Sequence, residues 1–398
     1  MFALPAKTES YEVRPLTLVY RDAPGPKDTY GGAVGWVALG GLHYVPVAPS
    51  DTVLISMHPI GGTGRLPVMA RLAEAGLHVI GADSRYRGRD DALIMENCVL
   101  DLGAVVRHAK EALGYERVVL LGWSGGGSLS AFYQAEAEDP RVTGAPGGGG
   151  PDLTKAALIP ADGVVFMAAH VSRHGTLSEW IDPAIRDEAD PTDRDPKLDV
   201  YSGAHGPPFS DEFIARYRAA QVARNRRITD WVKAELARVP GGQDRAFTVH
   251  GTMADPRFLD PALDPNGREA GRCYLGDPEV VNMSPIGLAR HSSLRSWLSQ
   301  WSLDDANGDG PRCAARISVP VLVIDNGADD ACTPSHARRL FDAVAHDDVE
   351  LHTVEGATHY YQGQPEQAAE AVRLVRDWME RKELAEASAV KVAGQEAP

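Results

Sequence analysis

Gly122-Trp123-Ser124-Gly125-Gly126 follows the apolar run RVVLL and leads into GSLSAFYQAEAE, a helical pattern. G-x-S-x-G between a strand and a helix is the setting in which the motif has chemical meaning, because a sharp turn strains the serine backbone and lifts its hydroxyl to the carboxyl end of the strand. Glycine at 122 and 126 relieves the crowding that such a turn creates. In a Gly-rich loop the same pentapeptide would be incidental; its place here marks Ser124 as a nucleophile. A serine hydroxyl attacks well only when a base takes its proton, and the base needs a carboxylate to hold it. Farther along, Asp329 and Asp330 follow the run VPVLVIDNGA, and His359 follows VELHTVEGAT. The chain order is Ser, Asp, His, each group just past an apolar run. An isolated histidine is usually packing or surface, but this placement marks His359 as the base.

Three groups so far apart in sequence can meet only if their strands lie side by side. Short β-branched and apolar runs recur at Val53–Met57, His78–Asp83, Arg117–Gly122, Gly163–Ala168, Pro320–Asp325 and Val349–Val354, separated by helical patterns at Arg65–Gly76 and Cys98–Leu113. That alternation predicts a largely parallel sheet flanked by helices. The runs are nearly continuous in apolar residues, as strands buried on both faces require. YEVRPLTLVYRD and VGWVALGGLHYVPV read as leading antiparallel strands. Between residues 170 and 316 the alternation stops, and the segment offers one long helix at Ser210–Val239 and no convincing buried strand. The expected organisation is therefore an α/β core from 1–169 and 317–384, a mainly helical cap inserted at 170–316, a last helix at Pro365–Leu384, and a tail at 385–398.

The motifs resemble the α/β-hydrolase superfamily, whose members show G-x-x-D-x-x-x-P after the penultimate strand and G-x-x-H after the last. Gly327 to Pro334 and Gly356 to His359 match both patterns. In that register the acid is Asp330, with its neighbour Asp329 as the alternative. Asp83-Ser84-Arg85-Tyr86-Arg87-Gly88 resembles the family's D-x-R-G turn with the glycine displaced. The resemblance implies an oxyanion hole, with the Gly125 amide as first donor. The second would come from His58-Pro59-Ile60-Gly61-Gly62, similar to the family's His-Gly loop with proline in the glycine place. Pro59 has no N–H, so Ile60 is the expected donor and Gly61 the next. His58 is expected to brace this loop. His58, Trp123, His170 and Tyr360 are candidates for the pocket wall. Trp180, Trp231, Trp297 and Trp301 could form an apolar roof over it, although tryptophans in an insertion more often form its own small core.

A formal charge of −15 argues against nucleic acid or an anionic membrane as partner and points to a small-molecule substrate. No basic segment with an apolar run opens the chain and no stretch reaches the length of a membrane span, so the cytoplasm is the expected location. Whether the protein forms a homodimer is left open. Cys98, Cys273, Cys313 and Cys332 show no metal-ligand spacing, and no cofactor or metal is implied. Asp305-Ala306-Asn307-Gly308-Asp309-Gly310 begins like a calcium loop, but Arg316 stands where the bidentate glutamate belongs, so it reads as an acidic turn. PGGGGP at 146–151 reads as a surface loop.

The resemblance implies a serine hydrolase that cleaves a carboxylic ester of a small hydrophobic substrate through an acyl-enzyme. The same triad would also serve a thioesterase, an amidase, a carbon–carbon bond hydrolase or a cofactor-free perhydrolase. Epoxide hydrolases and haloalkane dehalogenases carry aspartate where Ser124 stands. A ligand receptor on the same scaffold would have no need of all three groups.

Overall fold

The computed structural model describes residues 7–21 and 35–385, so most of the expected 385–398 tail lies outside the described residues. Two antiparallel strands lead, β1 (Tyr11–Arg21) and β2 (Trp36–Pro46), followed by β3 (Thr52–His58), helix α1 (Pro67–Glu74), β4 (His78–Asp83) and α2 (Met95–Glu111). Strand β5 (Arg117–Ser124) runs directly into α3 (Gly126–Glu138), and β6 (Gly163–Ala169) closes the first half of the core.

The segment that follows holds α4 (Arg173–Trp180), a ribbon of β7 (Ile185–Asp187) with β8 (Asp190–Arg194), and the long α5 (Asp211–Leu236). It continues through β9 (Ala246–Thr248), α6 (Pro278–Met283), β10 (His291–Ser293), α7 (Leu294–Gln300) and α8 (Gly310–Ala314). Its four short strands pair only with one another, as two ribbons, and none joins the main sheet. The core resumes with β11 (Val321–Asn326), α9 (Pro334–Ala343), β12 (Val349–Val354) and α10 (Pro365–Arg381).

Among the described residues the main sheet has eight strands in the order β1-β2-β4-β3-β5-β6-β11-β12, parallel except for β1 and β2. Every residue of β4, β6 and β11 is buried, which explains why these strands read as continuous apolar runs. One face packs α2, α3 and α9 against the strands through Leu102, Val106, Phe132 and Leu340; the other packs α1 and α10 through Leu72, Val375 and Trp378. Two cores, one per face, hold the carboxyl ends of β5, β11 and β12 at one edge. Ligand sites of open parallel sheets form at such an edge.

The inserted segment has cores of its own. Trp297 and Trp301 pack with Leu177, Ile228 and Val232, while Trp180 packs with Met253 and Phe258. Polar bonds fasten it to the sheet domain: Ser299 Oγ donates to Glu96 at 2.7 Å, the Met95 amide donates to Ser299 Oγ at 2.8 Å, and Arg173 pairs with Asp90 at 3.0 Å. The half-matched calcium loop serves the fold, since Asp309 caps α8 by accepting the Arg312 N–H at 2.7 Å. The PGGGGP stretch carries no helix or strand.

Candidate active site

Ser124 ends β5 with φ of 54°, a left-handed conformation that a non-glycine residue rarely adopts. The turn is tight on both sides. A Cβ at Gly122 would stand 2.7 Å from the Gly127 Cα, and one at Gly126 would stand 2.5 Å from the Met57 carbonyl oxygen. The sheet slips register at Trp123/Ser124, and the Ser124 carbonyl accepts the His170 N–H at 3.0 Å. The hydroxyl is thereby held at the carboxyl edge of the sheet.

His359 follows β12 and is buried with its ring beside Ser124, Nε2 lying 3.1 Å from Oγ. Its Nδ1 lies 2.8 Å from Asp329 Oδ2. The acid that meets the histidine is thus Asp329 and not the expected Asp330. The two neighbours differ in what their backbone allows. Asp329 folds its carboxylate into the turn after β11, where Oδ1 accepts the N–H groups of Ala331 at 2.7 Å and Cys332 at 2.8 Å. Those bonds fix the carboxylate and aim Oδ2 at the imidazole. Asp330 instead borders a second cavity with Gly356 and Thr358, and burial together with the Asp329 charge raises its carboxyl above the usual range.

The histidine loop is held by residues that motif reading passes over. Trp123 Nε1 donates to the His359 carbonyl at 3.2 Å and lays its ring 4.6 Å from the imidazole. Asn326 Nδ2 donates to the Thr358 carbonyl at 2.9 Å, and Tyr361 Oη donates to Asn326 Oδ1 at 2.6 Å. Asn326 ends β11 and Tyr361 comes two residues after His359, so the strand carrying the acid also ties down the base. Nothing in a single sequence marks them except nearness to the motif.

Ser124 and His359 open on a cavity of about 240 Å³ whose wall includes His58, Ile60, Trp123, Gly125, His170 and Tyr360. All four expected pocket residues are therefore on it. The inserted segment adds Ser172, Arg173, Thr176, Tyr274 and Leu288. None of the four tryptophans forms a roof. Trp180, Trp297 and Trp301 are spent on the segment's own packing, and Trp231 is 40% exposed away from this cavity. Tyr274 borders this cavity and two others, so it stands where they meet.

The electrostatics of the wall are set by burial. His170 is held well below the usual histidine range by burial and by its neighbour His336; its Nδ1 lies 3.2 Å from Thr176 Oγ and 3.4 Å from His336 Nδ1. Arg173 is buried over the Trp301 ring at 4.2 Å, and Asp90 balances its charge. His170, His336 and Cys332 bring ligand-type atoms within 4.8 Å of one another. His336 Nε2 is already engaged by Glu179 at 3.1 Å, and burial with the Asp329 charge pushes the Cys332 thiol up, which makes it a poor metal ligand.

The expected oxyanion loop is ordered differently from the expectation. The Ile60 and Gly61 N–H groups are already engaged: both donate to His58 Nδ1, at 3.1 and 2.8 Å. The Asp83–Gly88 turn pins the other side of the loop, with Ser84 Oγ donating to the Pro59 carbonyl at 2.5 Å and the Gly88 N–H to the Ile60 carbonyl at 2.9 Å. The turn itself is anchored by the buried Arg85–Asp101 pair at 2.8 Å. His58 braces the loop, as expected. The Gly125 N–H, by contrast, makes no hydrogen bond among the described residues.

Comparison with known proteins gives the same architecture. A family model described as alpha/beta hydrolase fold matches residues 53–145. No curated protein matches the sequence. Among solved structures, the alpha/beta hydrolase GrgF from Penicillium sp. sh18 is similar at 12% identity and a TM-score of 0.53, over 93% of this chain and 99% of that one. DcsB, solved with its substrate analogue, is similar at 13% identity and a TM-score of 0.50, over 94% and 100%. A monoacylglycerol lipase from Paleococcus ferrophilus aligns at 18% identity and a TM-score of 0.43, over 83% and 94%. At such identities the likeness concerns the fold. With the elbow at Ser124 and the strand order around it, the chain has the α/β-hydrolase fold.

Proposed function

We propose that this protein hydrolyses carboxylic esters of compact substrates through an acyl-enzyme on Ser124. The observation that carries the reading is the hydrogen-bonded line Asp329–His359–Ser124 on the wall of a half-open cavity. As Oγ attacks the carbonyl carbon, His359 Nε2 takes its proton and the C=O pair moves onto oxygen. The intermediate collapses, the C–O bond to the alcohol breaks, and the imidazolium returns the proton to the leaving oxygen. Water then repeats both steps on the acyl group and frees the acid. Asp329 keeps its hydrogen bond to Nδ1 and stabilises the imidazolium.

A cavity of about 240 Å³ is small for a ligand site and suits an acyl group of a few carbons. Trp123, Tyr274, Leu288 and Tyr360 give it apolar walls, while His170, Thr176 and Arg173 give one polar side. Because Asp90 neutralises Arg173, that side favours a neutral carbonyl or hydroxyl over a free carboxylate. In this reading the 170–316 segment is a cap whose Tyr274 and Leu288 set the choice of substrate.

The test is to label the protein with a fluorophosphonate, locate the adduct by peptide mass, and assay graded esters beside thioesters, amides and diketones. An adduct on Ser124 with short esters turned over fastest is expected. Active protein that labels elsewhere, or that prefers another bond type, would overturn the proposal.

A further inference from the structure

A tetrahedral intermediate at Ser124 needs two donors on its oxyanion, and the loop expected to supply the second has none to spare. Pro59 lacks an N–H. The amides of Ile60 and Gly61 are committed to His58 Nδ1, and the loop's carbonyls are tied to Ser84 and Gly88. Freeing either amide would mean breaking a bond that the Asp83–Gly88 turn helps to hold.

The same bonds define the state of the ring. A ring nitrogen that accepts N–H groups carries no proton, so neutral His58 bears its hydrogen on Nε2. Burial, with Arg173 and His359 nearby, pushes His58 down to about 3, which keeps the ring neutral at ordinary pH. Nε2 makes no hydrogen bond to protein among the described residues, and the ring lies on the wall of the cavity that holds Ser124. It also stands against the nucleophile elbow: a Cβ built on Gly125 would be 2.7 Å from Nε2. The Gly125 N–H and the His58 Nε2–H are therefore two unspent donors side by side next to Ser124.

We propose that His58 is a catalytic residue whose Nε2–H donates to the oxyanion beside the Gly125 N–H, a side-chain donor in the place where a loop amide was expected. This inference rests on the ester-hydrolase reading above. It explains why the residue after the nucleophile is glycine, since any side chain there would strike the imidazole. It also gives the ring's two nitrogens separate work. Nδ1 orders the loop and, by doing so, places the proton on Nε2.

The two roles can be separated by amide side chains. His58→Asn keeps an acceptor near the position of Nδ1 and lacks a donor at Nε2; His58→Gln does the reverse. On the best ester substrate, His58→Asn is expected to lose about 10²–10³-fold in kcat with KM little changed, the range seen when an oxyanion donor is removed. His58→Gln is expected to stay within about tenfold of the native enzyme, by analogy with that range. A trifluoromethyl ketone, which forms a tetrahedral adduct on serine, should bind more weakly to His58→Asn in proportion to the loss in kcat/KM. Thermal melts confirm that both variants fold. If His58→Asn keeps native turnover, or if the glutamine variant is the more damaged of the two, the ring only braces the loop and the inference falls. Ser124→Ala is the control: retained activity there would overturn the triad reading itself, whereas a dead Ser124→Ala beside a fully active His58→Asn would overturn only the donor assignment.

Discussion

Replacing Asp329 by asparagine should cost about ten-thousandfold in kcat/KM while leaving the protein folded, and the size of the loss follows from where its two oxygens sit. Oδ1 accepts two N–H groups, from Ala331 and Cys332, and Oδ2 faces His359 Nδ1. Asparagine can satisfy the pair of N–H donors only with its carbonyl oxygen. The reverse orientation would lose both bonds and set donor against donor, at a cost of about 2–4 kcal/mol. Its NH₂ therefore points at Nδ1 and forces that nitrogen to accept, which moves the ring proton to Nε2. A protonated Nε2 facing Ser124 Oγ can donate but cannot take the serine proton. A triad in the wrong tautomer loses about 10⁴-fold, or about 5 kcal/mol of transition-state stabilisation. Asp330→Asn serves as the comparison, because among the described residues that carboxyl makes no hydrogen bond to the histidine ring and its replacement should alter turnover by no more than about threefold, as expected of a change outside the reacting groups. The assay is kcat/KM on one ester for both variants, with thermal melting to show equal folding. A greater loss in Asp330→Asn than in Asp329→Asn at equal melting temperature would refute the reasoning.

Tyr274→Ala and Leu288→Ala should change the ranking of acyl sizes, whereas Trp297→Ala should leave that ranking intact and lower stability by about 3–5 kcal/mol, because Trp297 is fully buried in the insertion's own core. Unfolding by denaturant and a panel of esters distinguish the two outcomes. Gly125→Ala places a methyl 2.7 Å from His58 Nε2, so the ring must give way, and kcat is expected to fall about tenfold or more with melting nearly unchanged. His43 is held down to about 4 by burial, with His78, Arg14 and His108 adding to the effect. Between pH 6.5 and 4 the folded state binds fewer protons than the unfolded chain at this site. The stability His43 contributes is thus complete above pH 6.5 and is lost as pH falls toward 4, on the order of 3 kcal/mol. His43→Gln, measured by urea unfolding across that range, should flatten this part of the profile.

What could be read from the sequence follows from how local each constraint is. Parallel strands buried on both faces cannot hide, and RVVLLG and VPVLVI lie in β5 and β11 almost to the residue. Ser124 was legible because it stands in a short turn whose neighbours must be small, and His359 because it stands just past the end of such a strand pattern. The acid was not. Asp329 and Asp330 are the same residue type one position apart, and what separates them is the direction of a side chain. Two backbone N–H groups and the bond from the Ala328 N–H to the Ala357 carbonyl decide that direction. The register Gly-x-x-Asp counts residues and carries no information on which carboxylate turns inward.

The bonding of the donor loop was hidden by a different limit, namely competition between partners distant in sequence. Pro59 could be struck out because its chemistry is its own, but no short motif says that the Ile60 and Gly61 hydrogens go to His58 Nδ1 while Ser84 and Gly88 hold the Pro59 and Ile60 carbonyls. The tryptophans of the insertion form its own small cores, the commoner fate for such residues, but that Leu177, Ile228 and Met253 are their partners is again a long-range matter. Glu96 makes the point most sharply. It is a buried carboxyl at the start of α2 whose oxygens accept from Ser299 and Asn307, more than 200 residues away. Burial raises its pKa, and leaving it unpartnered would be costly, so this one group helps to fix how the inserted segment sits over the sheet. The chemistry of the site is written in short motifs beside three strand ends, while the shape of the cavity that would select a substrate is written in pairings of this long-range kind.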